Sequence, residues 1–258
     1  MRRTAAHRAM PRPYRTVVEI LRPVMGAITR RDWRGMEHLP ADGGFVVCPN
    51  HLSHLDVFAL GHFLFDTGRP GYFLAKDSLF RVPVIGPLLV QTGQIPVYRG
   101  TTRALESLRA AMTGIAAGKA IVVYPEGSLT RDPDLWPMRG KTGAARLALE
   151  SRCPLVPVAM WGPQDLLPPH GAKVPRVWKR PTMHISAAPP IDLSDLYDAP
   201  DQRAAAVEAT ERLMVALTEE LARLRGERPP AQRWDPVAHG QSEFGRHDAG
   251  PRRFRRAS

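Results

Sequence analysis

Four short apolar segments, each followed at once by polar or charged residues, constrain the fold of this chain more than any other feature. They cover residues 45–48, 95–98, 120–124 and 155–159. Short runs rich in β-branched and aromatic residues favour strands, and residues 105–115 and 143–151 show helical spacing between them. Strands and helices that alternate in this way predict an α/β fold, a single layered domain with a central sheet flanked by helices.

Residues able to do chemistry stand directly after three of these segments. His51 and Asp56 follow the first, Arg99 the second and Glu126 the third. Ligands of open α/β sheets bind at the carboxyl ends of the strands, so these side chains are expected to share one crevice. Taken singly, Arg99 fits a surface cation and Glu126 a turn residue, but their repeated placement favours a site.

His51 and Asp56 have the spacing of a base and its orienting acid. If residues 51–56 form an irregular loop or the start of a helix, Asp56 can accept a hydrogen bond from one ring nitrogen of His51. The other nitrogen is then a proton acceptor. Helix capping by both residues is the structural alternative. A metal site at His51, His54 and Asp56 is a third, but no His-x-x-x-His pair is present, and no metal is predicted.

Four sequence blocks in a fixed order make the chain resemble the glycerolipid acyltransferases, the family typified by 1-acylglycerol-3-phosphate acyltransferase. The blocks are His-x4-Asp at 51–56, Gly-x5-Arg at 93–99, Pro-Glu-Gly at 125–127 and Val-Pro-Val at 156–158. The resemblance covers about residues 35–190. It implies a mixed sheet with a helical face, His51 as the general base and Asp56 as its orienting partner.

The same resemblance implies a site for the acyl acceptor. Its residues would be Gly93, Arg99, Glu126 and Gly127, with Lys76 at a position where the family often has a basic residue.

The third block departs from the family pattern in one position. The family usually has Arg two residues after the Gly, whereas this chain has Leu129 there and Arg131 two residues further on. Either Arg131 reaches the same anion from a longer loop, or the acceptor differs.

The reaction implied moves a fatty acyl group from a thioester of coenzyme A or acyl carrier protein to a lysophospholipid hydroxyl, without any other cofactor. Lysophosphatidic acid leads among the acceptors, with glycerol phosphate, another lysophospholipid or a glycolipid as alternatives. Neither Ser53 nor Ser128 lies in a Gly-x-Ser-x-Gly elbow, so an acyl-enzyme is not expected. A hydrolase using the same His and Asp, and an inactive membrane-surface binding protein, are the competing functions.

The net charge of +11 on 258 residues requires an anionic partner or substrate. No nucleic-acid-binding motif is present, so an anionic membrane surface is expected instead of nucleic acid. The chain has no run of 18 apolar residues and no signal-peptide stretch, which predicts peripheral binding at the cytoplasmic face of the cell membrane. Apolar residues at helical spacing in 14–29 predict an amphipathic helix that either packs on its own domain or, as its basic face favours, lies in the membrane interface.

The chain divides into three predicted parts. Residues 1–34 form a basic segment with the amphipathic helix, 35–225 the acyltransferase domain and 226–258 a basic disordered tail. A long helix with an apolar stripe is expected after Asp201. Cys48 and Cys153 are interpreted as core thiols in a reducing compartment.

Overall fold

The core of the protein is a seven-stranded sheet with the strand order β1-β7-β6-β2-β5-β3-β4. A computed structural model describes residues 10–98, 103–169 and 174–242. The strands are β1 Arg30–Arg34, β2 Phe45–Pro49, β3 Gly71–Lys76, β4 Ile95–Val97, β5 Ala120–Val122, β6 Leu155–Trp161 and β7 Thr182–Ala187. Only β6 and β7 pair antiparallel. The predicted α/β fold with a mixed sheet is confirmed.

Helices cover both faces of this sheet. They are α1 Arg12–Ile28, α2 Asp56–Asp66, α3 Ile85–Gln91, α4 Ala104–Ala116, α5 Gly143–Ser151, α6 Pro163–Leu166 and α7 Gln202–Arg225. The predicted helices at 14–29, 105–115 and 143–151 correspond to α1, α4 and α5. The long C-terminal helix begins after Asp201, whose side chain accepts hydrogen bonds from two amides of the first turn.

The central strand β2 shows why its sequence is apolar throughout. Val46 and Cys48 belong to the core on one side of the sheet, while Phe45 and Val47 belong to the core on the other. Because helices cover both faces, no side chain of β2 reaches solvent. Cys48 and Cys153 are both buried, free thiols, in agreement with their interpretation as core residues.

Strand β1 has no apolar signal in the sequence because it lies at the edge of the sheet. Its residues, Arg30–Arg34, are mostly charged, and Asp32 bonds both Arg34 (Nε–Oδ1 3.1 Å) and His184 (2.8 Å). Edge strands tolerate such residues because one side faces solvent. The predicted boundary at residue 34 therefore falls at the end of a strand that pairs with β7.

Part of the apolar stripe of α1 packs on the domain. Tyr14 is buried and its hydroxyl donates to the Gly71 carbonyl at 2.6 Å, while Met25 is buried near the other end of the helix. Arg22 donates to Asp66 at 2.7 Å and ties α1 to α2. Internal packing thus holds for Tyr14 and Met25, whereas Val24 of the same stripe and the neighbouring Ile20 are exposed.

The first part of the predicted C-terminal tail lies on the domain. The Arg139 amide donates to the Trp234 carbonyl at 2.9 Å, and the Arg139 guanidinium donates to Asp235 at 3.1 Å. The predicted disordered tail thus includes a segment that packs on the domain, and residues 243–258 lie outside the described residues. Within the described ranges, no helix is both long and apolar enough to cross a bilayer.

Candidate active site

His51 and Asp56 meet at the carboxyl end of the central strand β2. The chain leaves β2 at Pro49, crosses residues 51–55 without regular structure and enters α2 at Asp56. His51 Nδ1 lies 2.9 Å from Asp56 Oδ2. Because the carboxylate is an acceptor, Nδ1 carries the proton and Nε2 presents its lone pair. The loop geometry predicted from the spacing of the two residues is therefore the one observed.

Asp56 is held by more than the histidine. Its Oδ2 also accepts hydrogen bonds from the amides of Leu52 (2.6 Å) and Ser53 (3.0 Å), and the side chain is fully buried. The carboxylate lies at the N-terminus of α2, where the helix dipole favours negative charge. Its other oxygen, Oδ1, has no hydrogen-bond partner within the described parts of the chain. These contacts fix the carboxylate against the ring it orients.

The ring of His51 is stacked on Tyr124, the second residue after β5. The ring centroids are 4.1 Å apart with an interplanar angle of 29°. Burial, together with the nearby charge of Asp56, raises the pKa of Tyr124 well above its ordinary value, so this hydroxyl stays protonated. Tyr124 is thus a neutral platform that limits rotation of the imidazole.

Glu126 holds the loop of His51 by hydrogen bonds to the backbone. One carboxylate oxygen accepts the His51 amide at 3.0 Å and the other accepts the Met138 amide at 3.1 Å. The side chain is only 1% exposed, and burial raises its pKa to about 8 against the opposing effect of these hydrogen bonds. Glu126 and His51 lie together, as expected, and these hydrogen bonds show that Glu126 positions the histidine loop.

The raised pKa of Glu126 gives a pH dependence of stability. A carboxyl that is a weaker acid in the folded state binds its proton more tightly there, so its stabilising contribution is complete below the ordinary glutamate pKa of 4.5. We expect the free energy of unfolding to fall as the pH rises from 4.5 through about 8. Denaturant unfolding of Glu126→Gln should show a flatter profile over this range.

A matched control is Glu211→Gln. The neighbouring Arg233 lowers the pKa of Glu211 in the folded state, so well above the ordinary value of 4.5 this carboxyl is ionised in both states. The control should keep the wild-type slope. Equal slopes for wild type and Glu126→Gln would show that Glu126 does not titrate as assigned.

Asn50 is a site residue without a sequence-based role. Its side chain exchanges two hydrogen bonds with the backbone of Met160 in β6, at 2.7 and 3.0 Å. It therefore locks β2 to β6 immediately before His51. Only its position, next to the histidine, pointed to it in the sequence.

The other predicted acceptor-site residues occupy different environments. Lys76 ends β3 and is exposed, and Arg131 is buried. Gly93 and Gly127 both have a φ of +73°, which favours glycine. The Gly127 amide donates to the Tyr124 carbonyl at 3.1 Å and so belongs to a turn. Arg99 lies outside the described residues.

An apolar groove is lined in part by the two residues that follow Asp56 in α2. It has a volume of about 260 Å³ and starts at Val57 and Phe58, in the first turn of α2. Helix α1 supplies another wall, with Val17 and Leu21, and α3 contributes Leu88. The lining is almost entirely apolar. A groove of this kind suits a hydrocarbon chain.

Metal ligands are not gathered at this site. Within residues 10–98, 103–169 and 174–242, no three His, Cys, Asp or Glu side chains are grouped as a metal ion would require.

A family model described as Acyltransferase matches residues 30–161, about half of the chain, and this match contains His51, Asp56 and Glu126. The chain belongs to the acyltransferase family. The confirmed family agrees with the resemblance that the four blocks indicate.

Relatives of this acyltransferase carry one activity in their names. A 1-acyl-sn-glycerol-3-phosphate acyltransferase of Bacillus subtilis is 29% identical over 73% of this chain and 88% of its own length. The chloroplastic 1-acyl-sn-glycerol-3-phosphate acyltransferase BAT2 of Brassica napus is 30% identical over 54% of this chain. The chain spans only 39% of the length of the Brassica protein.

The crystal structure of the 1-acyl-sn-glycerophosphate acyltransferase PlsC from Thermotoga maritima has the same fold. It superposes with a TM-score of 0.60, covering 86% of this chain and 81% of that one at 19% identity. At this identity the similarity supports the fold.

Proposed function

We propose that this acyltransferase moves a fatty acyl group from a thioester to the free hydroxyl of 1-acylglycerol-3-phosphate, in phospholipid biosynthesis. The observation that carries the proposal is the His51 ring, whose Nδ1 is bound to Asp56 and whose Nε2 is left as a base. An apolar groove lined by Val57 and Phe58, just after Asp56, supports it. The names of the relatives support the choice of acceptor.

The reaction needs one base and no enzyme nucleophile. His51 Nε2 takes the proton of the acceptor hydroxyl while its oxygen attacks the thioester carbonyl carbon. The tetrahedral intermediate collapses, the carbon–sulfur bond breaks, and the leaving thiolate receives the proton from the imidazolium. The new ester and a free thiol are the products, and the histidine returns to its neutral form.

The surroundings of the pair suit this cycle. During the reaction the imidazole gains a positive charge, and the buried carboxylate of Asp56 stabilises it across 2.9 Å. Tyr124 and Glu126 hold the ring and its backbone, respectively. The geometry thus keeps the base in one tautomer and one orientation before the acceptor arrives.

We assign the groove to a fatty acyl chain and the basic residues to the acceptor phosphate. Lys76, Arg99 and Arg131 are the proposed cations, with Gly93 shaping the loop before Arg99. Arginine suits a phosphate because its planar guanidinium can form two parallel hydrogen bonds.

Arg99→Ala is expected to raise the KM for lysophosphatidate, because a charge-assisted contact to the phosphate is lost, by about tenfold or more. The KM for the thioester should stay unchanged. Steady-state kinetics with each substrate varied in turn measures both values. Arg103→Ala is the control, since Arg103 is exposed and paired with Glu106.

A shift confined to the thioester KM would contradict the acceptor role of Arg99. Arg131→Ala, measured in parallel, tests whether the displaced arginine of the third block contributes to the same phosphate.

The donor is proposed to be acyl-coenzyme A or acyl-acyl carrier protein, and the chemistry asks for no further cofactor. The expected location is the cytoplasmic face of the cell membrane, where the acceptor lipid resides, with peripheral attachment and no nucleic-acid partner. The net charge of +11 supports an anionic surface as partner.

Product analysis by mass spectrometry tests the proposal. The protein is incubated with mixed acyl thioesters and a panel containing lysophosphatidate, glycerol phosphate, other lysophospholipids and a glycolipid. Phosphatidic acid is the expected main product. Another acylated lipid would replace the proposed acceptor, and an absence of any acylated product would reject the transferase function.

A further inference from the structure

The segment 82–91, which contains α3, presents an apolar surface without any charged residue. Its large apolar side chains Val82, Val84, Ile85, Leu88 and Val90 are all exposed. Soluble proteins rarely expose so many neighbouring apolar side chains, so this surface is expected to bind a partner.

The turn at Val84, which forms the tip of this surface, has a strained conformation. Val84 has φ +67° and ψ −49°, and the Ile85 amide donates to the Pro83 carbonyl at 2.8 Å. These are the marks of a γ-turn with a positive φ, which is costly for a β-branched residue. Glycine would adopt it readily, yet the chain has valine there, with 81% of the residue exposed.

The tip is also held in place. Gly86 is buried, and a Cβ at this position would lie 2.1 Å from the Phe80 carbonyl oxygen. The Gly86 amide donates to the Val82 carbonyl at 2.8 Å. The exposed valine is therefore carried by a turn that is closely packed on the preceding residues 80–82.

The apolar surface continues into the groove. Leu79 and Leu88 are exposed and also line the groove, and Phe58 does the same from α2. Lys76 is exposed beside this border, and Arg81, three residues before Val84, is exposed and paired with Asp77. An apolar tip flanked by cations matches a bilayer with anionic headgroups.

We propose that residues 82–91 insert into the lipid bilayer and bring the groove to the acyl region of the membrane. Tyr14 and Met25 of α1 are buried against the domain, whereas all five large side chains named above are exposed, which makes this surface the better candidate for the apolar part of the contact. The proposal rests on the proposed function for the role of the groove, but its insertion is measured without catalysis.

The test places an environment-sensitive fluorophore on Val84→Cys in the full-length chain. The native thiols Cys48 and Cys153 are buried. With vesicles of phosphatidylcholine and phosphatidylglycerol, the label should shift to the blue and be quenched by lipids that carry nitroxides on their acyl chains. The matched control is Val207→Cys, an exposed valine of α7, whose label should stay in water.

A charge at the tip gives the second measurement. Val84→Asp should weaken vesicle binding about tenfold, because a carboxylate is costly in the apolar layer, while Val207→Asp should bind as wild type. Val84→Gly should also bind more weakly, yet with thermal stability equal to or above wild type. Val84→Asp should retain acyl transfer to lysophosphatidate dispersed below its micellar concentration.

Three results would overturn insertion: a label that stays in water while the protein floats with vesicles, wild-type binding by Val84→Asp, or a blue shift that depends on protein concentration without lipid. The last would make a second copy of the chain the occupant. Insertion without acyl transfer would reject the proposed function alone, and acyl transfer without insertion would reject this inference alone.

Discussion

Replacing His51 by alanine is expected to lower acyl transfer by about 10²- to 10⁴-fold, the usual loss when a general base is removed. The domain should stay folded, because the imidazole is a partly exposed side chain at the mouth of the site, with 17% of its surface accessible. Initial rates of ester formation and circular dichroism measure the two properties.

His54→Ala is the matched control for this substitution. His54 lies in the same loop, three residues further on, but is exposed. It should keep wild-type turnover. Near wild-type turnover by His51→Ala would instead remove this histidine from the mechanism.

Asp56→Asn is expected to reduce turnover by about 10²- to 10⁴-fold, since the amide cannot stabilise the imidazolium as a carboxylate does. It should also reduce stability, because an amide NH₂ near the Leu52 and Ser53 amides would face donors instead of accepting from them. Kinetics and denaturant unfolding of the same preparation separate the two effects.

The double variant decides whether the two residues act as a unit. If Asp56 works through His51, then His51→Ala with Asp56→Asn should be about as slow as His51→Ala alone. If the rate loss of the double variant equals the product of the losses of the two single variants, Asp56 acts independently of the histidine.

Much of the site follows from the sequence because it depends on local geometry. The spacing of His51 and Asp56, after a strand and before a helix, fixes their contact within a single loop. The placement of Glu126 near them follows from the pairing of β5 beside β2, since both strands end at the same edge of the sheet.

What the sequence does not reveal depends on contacts between distant segments. The hydrogen bonds by which Glu126 holds the His51 and Met138 amides join three separate segments, and the sequence does not show them. Likewise, the direction of the α1 stripe could not be read from its periodicity. An inward stripe and a membrane-facing stripe have the same pattern, and only the buried positions of Tyr14 and Met25 show that these two residues pack inward.

Edge position explains the missing signal of β1. Its pairing with β7 uses the backbone, whereas its side chains include two charged residues bonded to each other, Asp32 and Arg34. A pattern based on apolar residues cannot detect such a strand.

The central claim is that His51 deprotonates a lipid hydroxyl and not water. The most direct measurement follows thiol release and phosphatidic acid formation together, with acyl-coenzyme A and with or without lysophosphatidate. We expect one phosphatidic acid for each thiol released, and almost no thiol release when the acceptor is left out. Rapid thiol release without the acceptor, lost in His51→Ala, would contradict the account and identify a thioester hydrolase.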